Sequence, residues 1–365
     1  MSAEPASLDS PRLLLDAMAD PRTLRGLPLS QWEALLACAR RNAVLAFLAE
    51  RASSAGILDE IPERPRLAMQ SAQMAAARLA QLARWELDRV CRVLMPAGVP
   101  IIALKGLAYI LRGLPHATTR LLSDIDILVP QGALANVEAT LLLHGWHTSK
   151  TTAYDQRYYR RWMHELPPLR HISRQTMLDV HHAILPITAR LKPDSAKLLA
   201  ASRAIAGAPR LRILAPVDMV LHSATHLFCN EDIGNSLRDL VDLDSLLCEF
   251  ASEESFWPRL TVRAGELDLT RPLYYALRYA VRLLDTPVPD RVLGAAEIGR
   301  PPTLLRGLMD ALFLRTLQPN PASNGLGSLA RGSLYVRAHW LRMPPLLLAQ
   351  HLAIKALRRE EQKAG

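Results

Sequence analysis

One short stretch, Asp124-Ile-Asp-Ile-Leu-Val129, limits what this chain can fold into more than any other, because charged and aliphatic residues alternate in it with a period of two. A strand sends successive side chains to opposite faces, so Asp124 and Asp126 share one face while Ile125, Ile127 and Val129 share the other. The apolar face demands a core. The two carboxylates sit roughly 7 Å apart on a surface next to that core. Like charges placed so are unfavourable unless a cation lies between them, and hard oxygen donors at that spacing suit Mg²⁺. A plainer reading stays open, in which the strand ends in a solvated turn and binds nothing.

The text upstream adds a second element. Residues 99–104 form an aliphatic, β-branched run opened by Pro96 and Gly98, which reads as another strand. It ends at Lys105 and Gly106, and LAYILRGL then reads as a short helix. The amides of Gly106 and Leu107 would lie at a helix N-terminus, where unpaired N–H groups and the macrodipole favour an anion such as phosphate. Lys105 would add a full positive charge.

Around this centre the chain reads as helical scaffold. With 365 residues, 50% of them hydrophobic and 22% charged, it can bury a large core, and with only 5% aromatic residues it favours helix over sheet elsewhere. Ser10 and Pro11 suit the start of a helix. Ser30-Gln-Trp-Glu33 reads as a capping box, opening a helix that runs on to a loop at Gly56. The run 66–95 lacks Gly and Pro. As one helix it would span about 45 Å, with Leu79, Leu82, Leu87, Val90 and Leu94 on one face. Beyond residue 191 the text is helical again, broken by prolines, with a surface loop at 320–327. The final amphipathic stretch, 343–362, reads either as a packed helix or as one lying on a membrane surface. The expectation is an α+β protein in three parts: a helical region 1–95, an α/β core 96–188 and a helical domain 189–365.

Composition also narrows the setting. A formal charge of +9 allows a polyanionic partner, but arginine is spread along helices rather than gathered in a tract, so nucleic acid is possible and not indicated. Cys38, Cys91, Cys229 and Cys248 fall singly in apolar helical text without a Cys-x-x-Cys pair, which suggests buried reduced thiols and a cytoplasmic protein. No run of about 18 apolar residues and no basic-then-apolar leader occurs, so neither a membrane span nor a signal peptide is expected.

The segment 104–129, LKGLAYILRGLPHATTRLLSDIDILV, thus presents a Lys-Gly turn with its short helix, then Arg120, then the Asp-x-Asp strand. That order resembles the active-site unit of polymerase β-like nucleotidyltransferases, in which a Gly-centred turn holds a triphosphate. More narrowly, it resembles the widespread family of uncharacterised nucleotidyltransferases marked by a Lys-Gly turn, Arg and Asp-Ile-Asp. The resemblance covers about 32–246, and 104–129 and 178–181 are its specific parts. It implies a small mixed sheet flanked by helices, an NTP donor with ATP expected, a Mg²⁺ cofactor, and transfer of a nucleoside monophosphate with release of pyrophosphate. On this reading Asp124 and Asp126 hold the metal, while Lys105, Gly106, Leu107, Arg120 and Ser123 bind the nucleotide. The superfamily often carries Ser after the glycine, where this chain has Leu107.

A third carboxylate is expected too. Residues 166–172 and 176–184 flank Ser-Arg-Gln and read as an antiparallel hairpin whose second strand contains Asp179. Asp179 and His181 share one face of it. The resemblance implies an acidic residue on a strand beside Asp-x-Asp, so Asp179 is the candidate third catalytic and metal-holding residue; otherwise it is an edge-strand aspartate facing water. Asp218, His222 and His226 recur at i, i+4 along one helix face, which fits a structural network, a role beside the nucleotide site, or a separate metal site. Two functions stand: Mg²⁺-dependent nucleotidyl transfer to an acceptor the sequence does not name, a small molecule or protein rather than nucleic acid, or a module that binds a nucleotide or partner protein without turnover.

Overall fold

The computed structural model describes residues 10–148, 150, 152–230, 234–319, 325–345 and 348–349. Helices α1 (Ser10–Ala19), α2 (Leu29–Arg41), α3 (Leu45–Ser54) and α4 (Glu63–Leu94) build the N-terminal region. The expected capping box does not form. α2 begins at Leu29 with Pro28 at its N-cap and no side-chain cap, and the helix breaks before α3, where Ala43 takes φ of +55°. The uninterrupted run does become one helix, α4, set up by Pro62, whose fixed φ suits the position before a first turn. Its buried stripe is Met69, Ala76, Ala80, Ala83, Leu87, Val90 and Leu94; Leu82 is 43% exposed. Small alanines let neighbouring elements approach closely, so packing favoured them over the bulkier leucines next to them.

The sheet contains β1 (Ile101–Ala103), β2 (Asp124–Leu128), β3 (Trp146–Thr148), β4 (Leu169–His171), β5 (Met177–His181), β6 (Arg203–Ile205) and β7 (Ala208–Ile213), in the order β3-β4-β5-β2-β1-β7-β6. β2 runs parallel to β5 and antiparallel to β1, and β1 runs parallel to β7. The hairpin expected at 166–184 is present, with Leu169 opposite Leu178. Strands β6 and β7 arise where only helix was expected, so the sheet takes strands from as far along the chain as Ile213. Gly207 at φ +76° makes their turn. The alternation Arg210-Leu-Arg-Ile213 is the strand signal, and the neighbouring Pro209 had argued against it.

Helices α5 (Lys105–Arg112), α6 (Leu134–Leu143), α7 (Ala153–Trp162) and α8 (Ser195–Ala201) connect the strands. The C-terminal helices are α9 (Pro216–Cys229), α10 (Ser236–Phe250), α11 (Phe256–Glu266), α12 (Thr270–Leu284), α13 (Asp290–Ala296), α14 (Thr303–Leu317) and α15 (Gly325–Arg342). The loop expected at 320–327 is partly this last helix, and its first part, like most of 343–362, lies outside the described residues. One hydrophobic core runs from α4 through β1, β2 and β5 into α9–α14, so sheet and C-terminal helices share buried surface. A second core joins α1–α3 to Leu237 and Val241 of α10. Ile102, Ile125, Ile127 and Val180 are buried at the sheet's centre, each worth about 1.5–3 kcal/mol of apolar transfer. All four cysteines are free thiols, but only Cys38 and Cys229 are buried as expected; Cys91 is half-buried and Cys248 exposed. Among the described residues no helix is long and apolar enough to cross a membrane.

Candidate active site

The alternation read in the sequence becomes two faces. Asp126 pairs in register with Asp179, and Leu128 with His181, across the parallel β2/β5 ladder. These residues share the face that also carries Asp124, and Ile125, Ile127, Leu178 and Val180 fill the core behind it. Asp126 is only 5% exposed. Its Oδ1 accepts from Lys105 Nζ and lies against His181 Nε2, both at 2.9 Å. His181 Nδ1 reaches Glu165 Oε2 at 3.2 Å. Burial alone would raise the Asp126 carboxyl, but Lys105 and His181 outweigh it and hold it well below the usual range. Lys105 stays charged for the reciprocal reason: burial opposes it, while Asp126, Asp124 and Asp179 favour the ammonium.

Asp179 lacks that compensation. Its Oδ1 is buried without a hydrogen-bond partner, and its carboxyl is pushed up to about 7 by burial, then by Asp126 and Glu165. An orphaned acidic oxygen beside two further carboxylates accommodates either a proton or a cation, and this oxygen donor chemistry fits Mg²⁺. Among the described residues, however, the group whose ligand atoms all lie within 4.8 Å of one another is His164, Glu165 and His181, not the three aspartates.

The turn before α5 is built for close approach. A Cβ on Gly106 would sit 2.5 Å from Leu122 Cδ2 and 2.9 Å from Arg120 Nε, so only glycine fits there without shifting both. Lys105, heading α5, takes φ of +49°, a left-handed conformation costing a non-glycine residue about 1–2 kcal/mol. The first helical amides lack intrahelical acceptors; the amide of Ala108 is the first to bond back, to Leu104 O at 3.3 Å. Leu107 buries its side chain, 3% exposed, and offers only its amide. Ser123 donates to Asp124 Oδ1 at 3.1 Å. Arg120 stacks 5.4 Å over the Tyr109 ring and pairs through Nη1 with Asp242 of α10, while its Nε is buried without a hydrogen-bond partner.

These elements enclose a cavity of about 160 Å³. One wall is the Lys105–Gly106–Leu107 turn with Ser123, Asp124 and Asp126; the other is His226 of α9 with Asn235, Arg238, Asp239 and Asp242. The second wall was missed in the sequence. Its signal was a polar stripe at 235, 238, 239 and 242, spaced i, i+3, i+4, i+7 along α10 and its N-cap. The Asp218/His222/His226 face divides: Asp218 is clamped by Arg263 at 2.8 and 3.0 Å, His222 is buried, and His226 reaches Asp239 at 3.7 Å. Burial, with Lys105 nearby, pushes His226 down to about 4, so it is neutral at pH 7. No common metal site joins the three. His164 and Glu165 were not singled out in the sequence, because their partner His181 lies on another strand.

A model of the family described as uncharacterised nucleotidyltransferase matches residues 28–285. The chain belongs to this family. The match runs from the start of α2 to the end of α12, so it includes both cavity walls and reaches further at each end than the stretch where the sequence resemblance was legible. The family is one of transferases, and the mixed sheet with flanking helices is its nucleotidyltransferase domain. A search among curated proteins gives no match.

Proposed function

We propose that this family member transfers a nucleoside monophosphate from an NTP, ATP being the expected donor, to an acceptor hydroxyl. One observation carries the reading: the Lys105–Gly106 helix start and the Asp124/Asp126 pair line the same cavity, which unites a phosphate-binding element with oxygen donors for a cation. Lys105 and the Gly106 and Leu107 amides would receive the triphosphate, with Ser123 at its edge. Asp124, Asp126 and Asp179 would hold Mg²⁺, which when bound supplies charge neutralisation for in-line displacement at phosphorus. Asp179, the least compensated of the three, would accept the proton of the acceptor hydroxyl. Arg120 would act through Asp242, fixing the cavity floor against α10. The spread of basic residues supports a small-molecule or protein acceptor over nucleic acid, and the free thiols accord with a cytoplasmic setting.

A second reading has a specific support. Lys105 is already paired with Asp126, and Leu107 lacks a hydroxyl for phosphate, as suits a module that binds without turnover. Incubation with each of the four α-labelled NTPs, Mg²⁺ and a cell lysate separates the two. Label moved to any acceptor, and abolished by Asp124→Asn, supports transfer; nucleotide binding with no label moved favours the binding module.

A further inference from the structure

His181 is held at both ring nitrogens, by Asp126 at 2.9 Å from Nε2 and by Glu165 at 3.2 Å from Nδ1. Glu165 and His164 precede β4 on a segment pinned against β5. The His182 amide donates to His164 O at 2.8 Å and the Leu166 amide to Val180 O at 2.9 Å, so these side chains start from a rigid backbone. The His164 and His181 rings lie 5.3 Å apart between centroids. His164 Nδ1 is buried and has no hydrogen-bond partner. One ligand atom from each of His164, Glu165 and His181 lies within 4.8 Å of the others.

We propose that His164, Glu165 and His181 form a second metal site, one for a borderline transition cation such as Zn²⁺, adjoining the aspartate site. Two imidazole nitrogens and one carboxylate oxygen are the donors such ions prefer, and three protein ligands leave a fourth, open position. Mg²⁺ prefers oxygen donors and keeps its water, so it competes poorly for this set. The surroundings fit as well. Asp126 accepts from Nε2 of His181, which turns the Nδ1 lone pair towards Glu165, and a carboxylate behind a ligating histidine is the usual outer-shell support. The orphaned nitrogen of His164 gains the partner it lacks. Because the same Asp126 oxygen also takes Lys105, occupancy of this site is coupled to the charge balance of the cavity. The competing arrangement is metal-free, a protonated His181 bridging Glu165 and Asp126 with His164 packed beside it.

The test uses the full chain after chelator treatment, titrated with Co²⁺ by visible absorption and with Zn²⁺ by calorimetry, in excess Mg²⁺. One equivalent of each is expected to bind, with visible bands of a low-coordinate nitrogen–oxygen site, undiminished by Mg²⁺. His164→Ala and Glu165→Gln should each weaken Zn²⁺ at least about tenfold, and Asp124→Asn should not. His164→Cys guards against a folding failure, since a thiolate ligand adds an intense near-ultraviolet charge-transfer band to bound Co²⁺. Absence of the bands, full displacement by Mg²⁺, unchanged affinity in His164→Ala, or a His164→Cys protein that binds Co²⁺ without the new band would each overturn the site and leave the protonated bridge.

Discussion

The two walls of the cavity each carry buried aspartates, and they treat them differently. The two α10 acids that line the cavity each have their own guanidinium: Asp242 pairs with Arg120, and Asp239 with Arg238 at 3.0 Å. On the sheet side, Asp124 and Asp126 line the cavity while Asp179 and Glu165 lie beside it and not in its lining; the four share Lys105 and His181, and Asp179 keeps an orphaned oxygen. Four acids against two cations is an excess of negative charge; two against two is not. A buried polar group without a partner costs folding free energy. The helix side's orphans are guanidinium nitrogens, Nε of Arg120 and of Arg238, whereas the sheet side's is an acidic oxygen, Oδ1 of Asp179, which a cation can satisfy. On the proposed function the helix side serves as the clamp, and the sheet side, with its excess of acid, takes the cation and the substrate.

The most severe way to break this contrast is to neutralise the sheet wall. The Asp124→Asn, Asp126→Asn double variant should lose Mg²⁺-dependent ATP binding in calorimetry, because the triphosphate charge is left poorly neutralised. Binding as tight as in the unchanged protein would refute the metal assignment. Asp179→Asn is the sharper probe, expected to keep ATP binding while single-turnover transfer falls by about 10²–10⁴. Full transfer would reduce Asp179 to a strand-edge residue.

The helix wall should respond in stability instead. Arg120→Ala leaves Asp242 buried and unpaired, which costs about 3–5 kcal/mol in denaturant unfolding. If ATP affinity falls but stability holds, the arginine is a phosphate ligand after all. Lys105→Ala should weaken ATP by about 1.5–3 kcal/mol, the usual worth of a hydrogen bond to a charged group, and adenosine far less. Equal losses would make the lysine structural.

The smallest expected effect is on pH. With Asp179 pushed up to about 7, a proton competes with the metal, so Mg²⁺ affinity should rise about tenfold between pH 6 and 8 and then level off. The sign for stability without metal is opposite. The folded state holds this proton and the unfolded chain releases it, so the Asp179 contribution falls as pH rises from the ordinary carboxylate range to about 7. Asp126, held low, stabilises throughout that window and loses its contribution only in stronger acid. A flat Mg²⁺ profile would mean that Asp179 stands outside the metal's reach.

How much of this was legible follows from the range of each signal. The two faces of β2, the Lys105–Gly106 helix start, the single helix α4 and the hairpin holding Asp179 are written in local periodicity, and the folded chain keeps them. The capping box at Ser30 failed because Pro28 takes the N-cap position and the helix begins two residues sooner. Strands β6 and β7 went unseen because Pro209 masked their alternation, and because a strand supplied to β1 from more than a hundred residues on leaves no local mark.

The sequence by itself determined that Asp124 and Asp126 share a face, since the period of a strand is a property of consecutive residues. Only the tertiary structure decided what surrounds them. It set Asp126 level with Asp179 through a parallel register that no turn enforces. It carried Arg120 to Asp242 across 122 positions of chain, and it brought His164 and Glu165 to His181. Those placements follow from which surfaces bury together in the shared core, a free energy summed over distant residues that leaves no period to read.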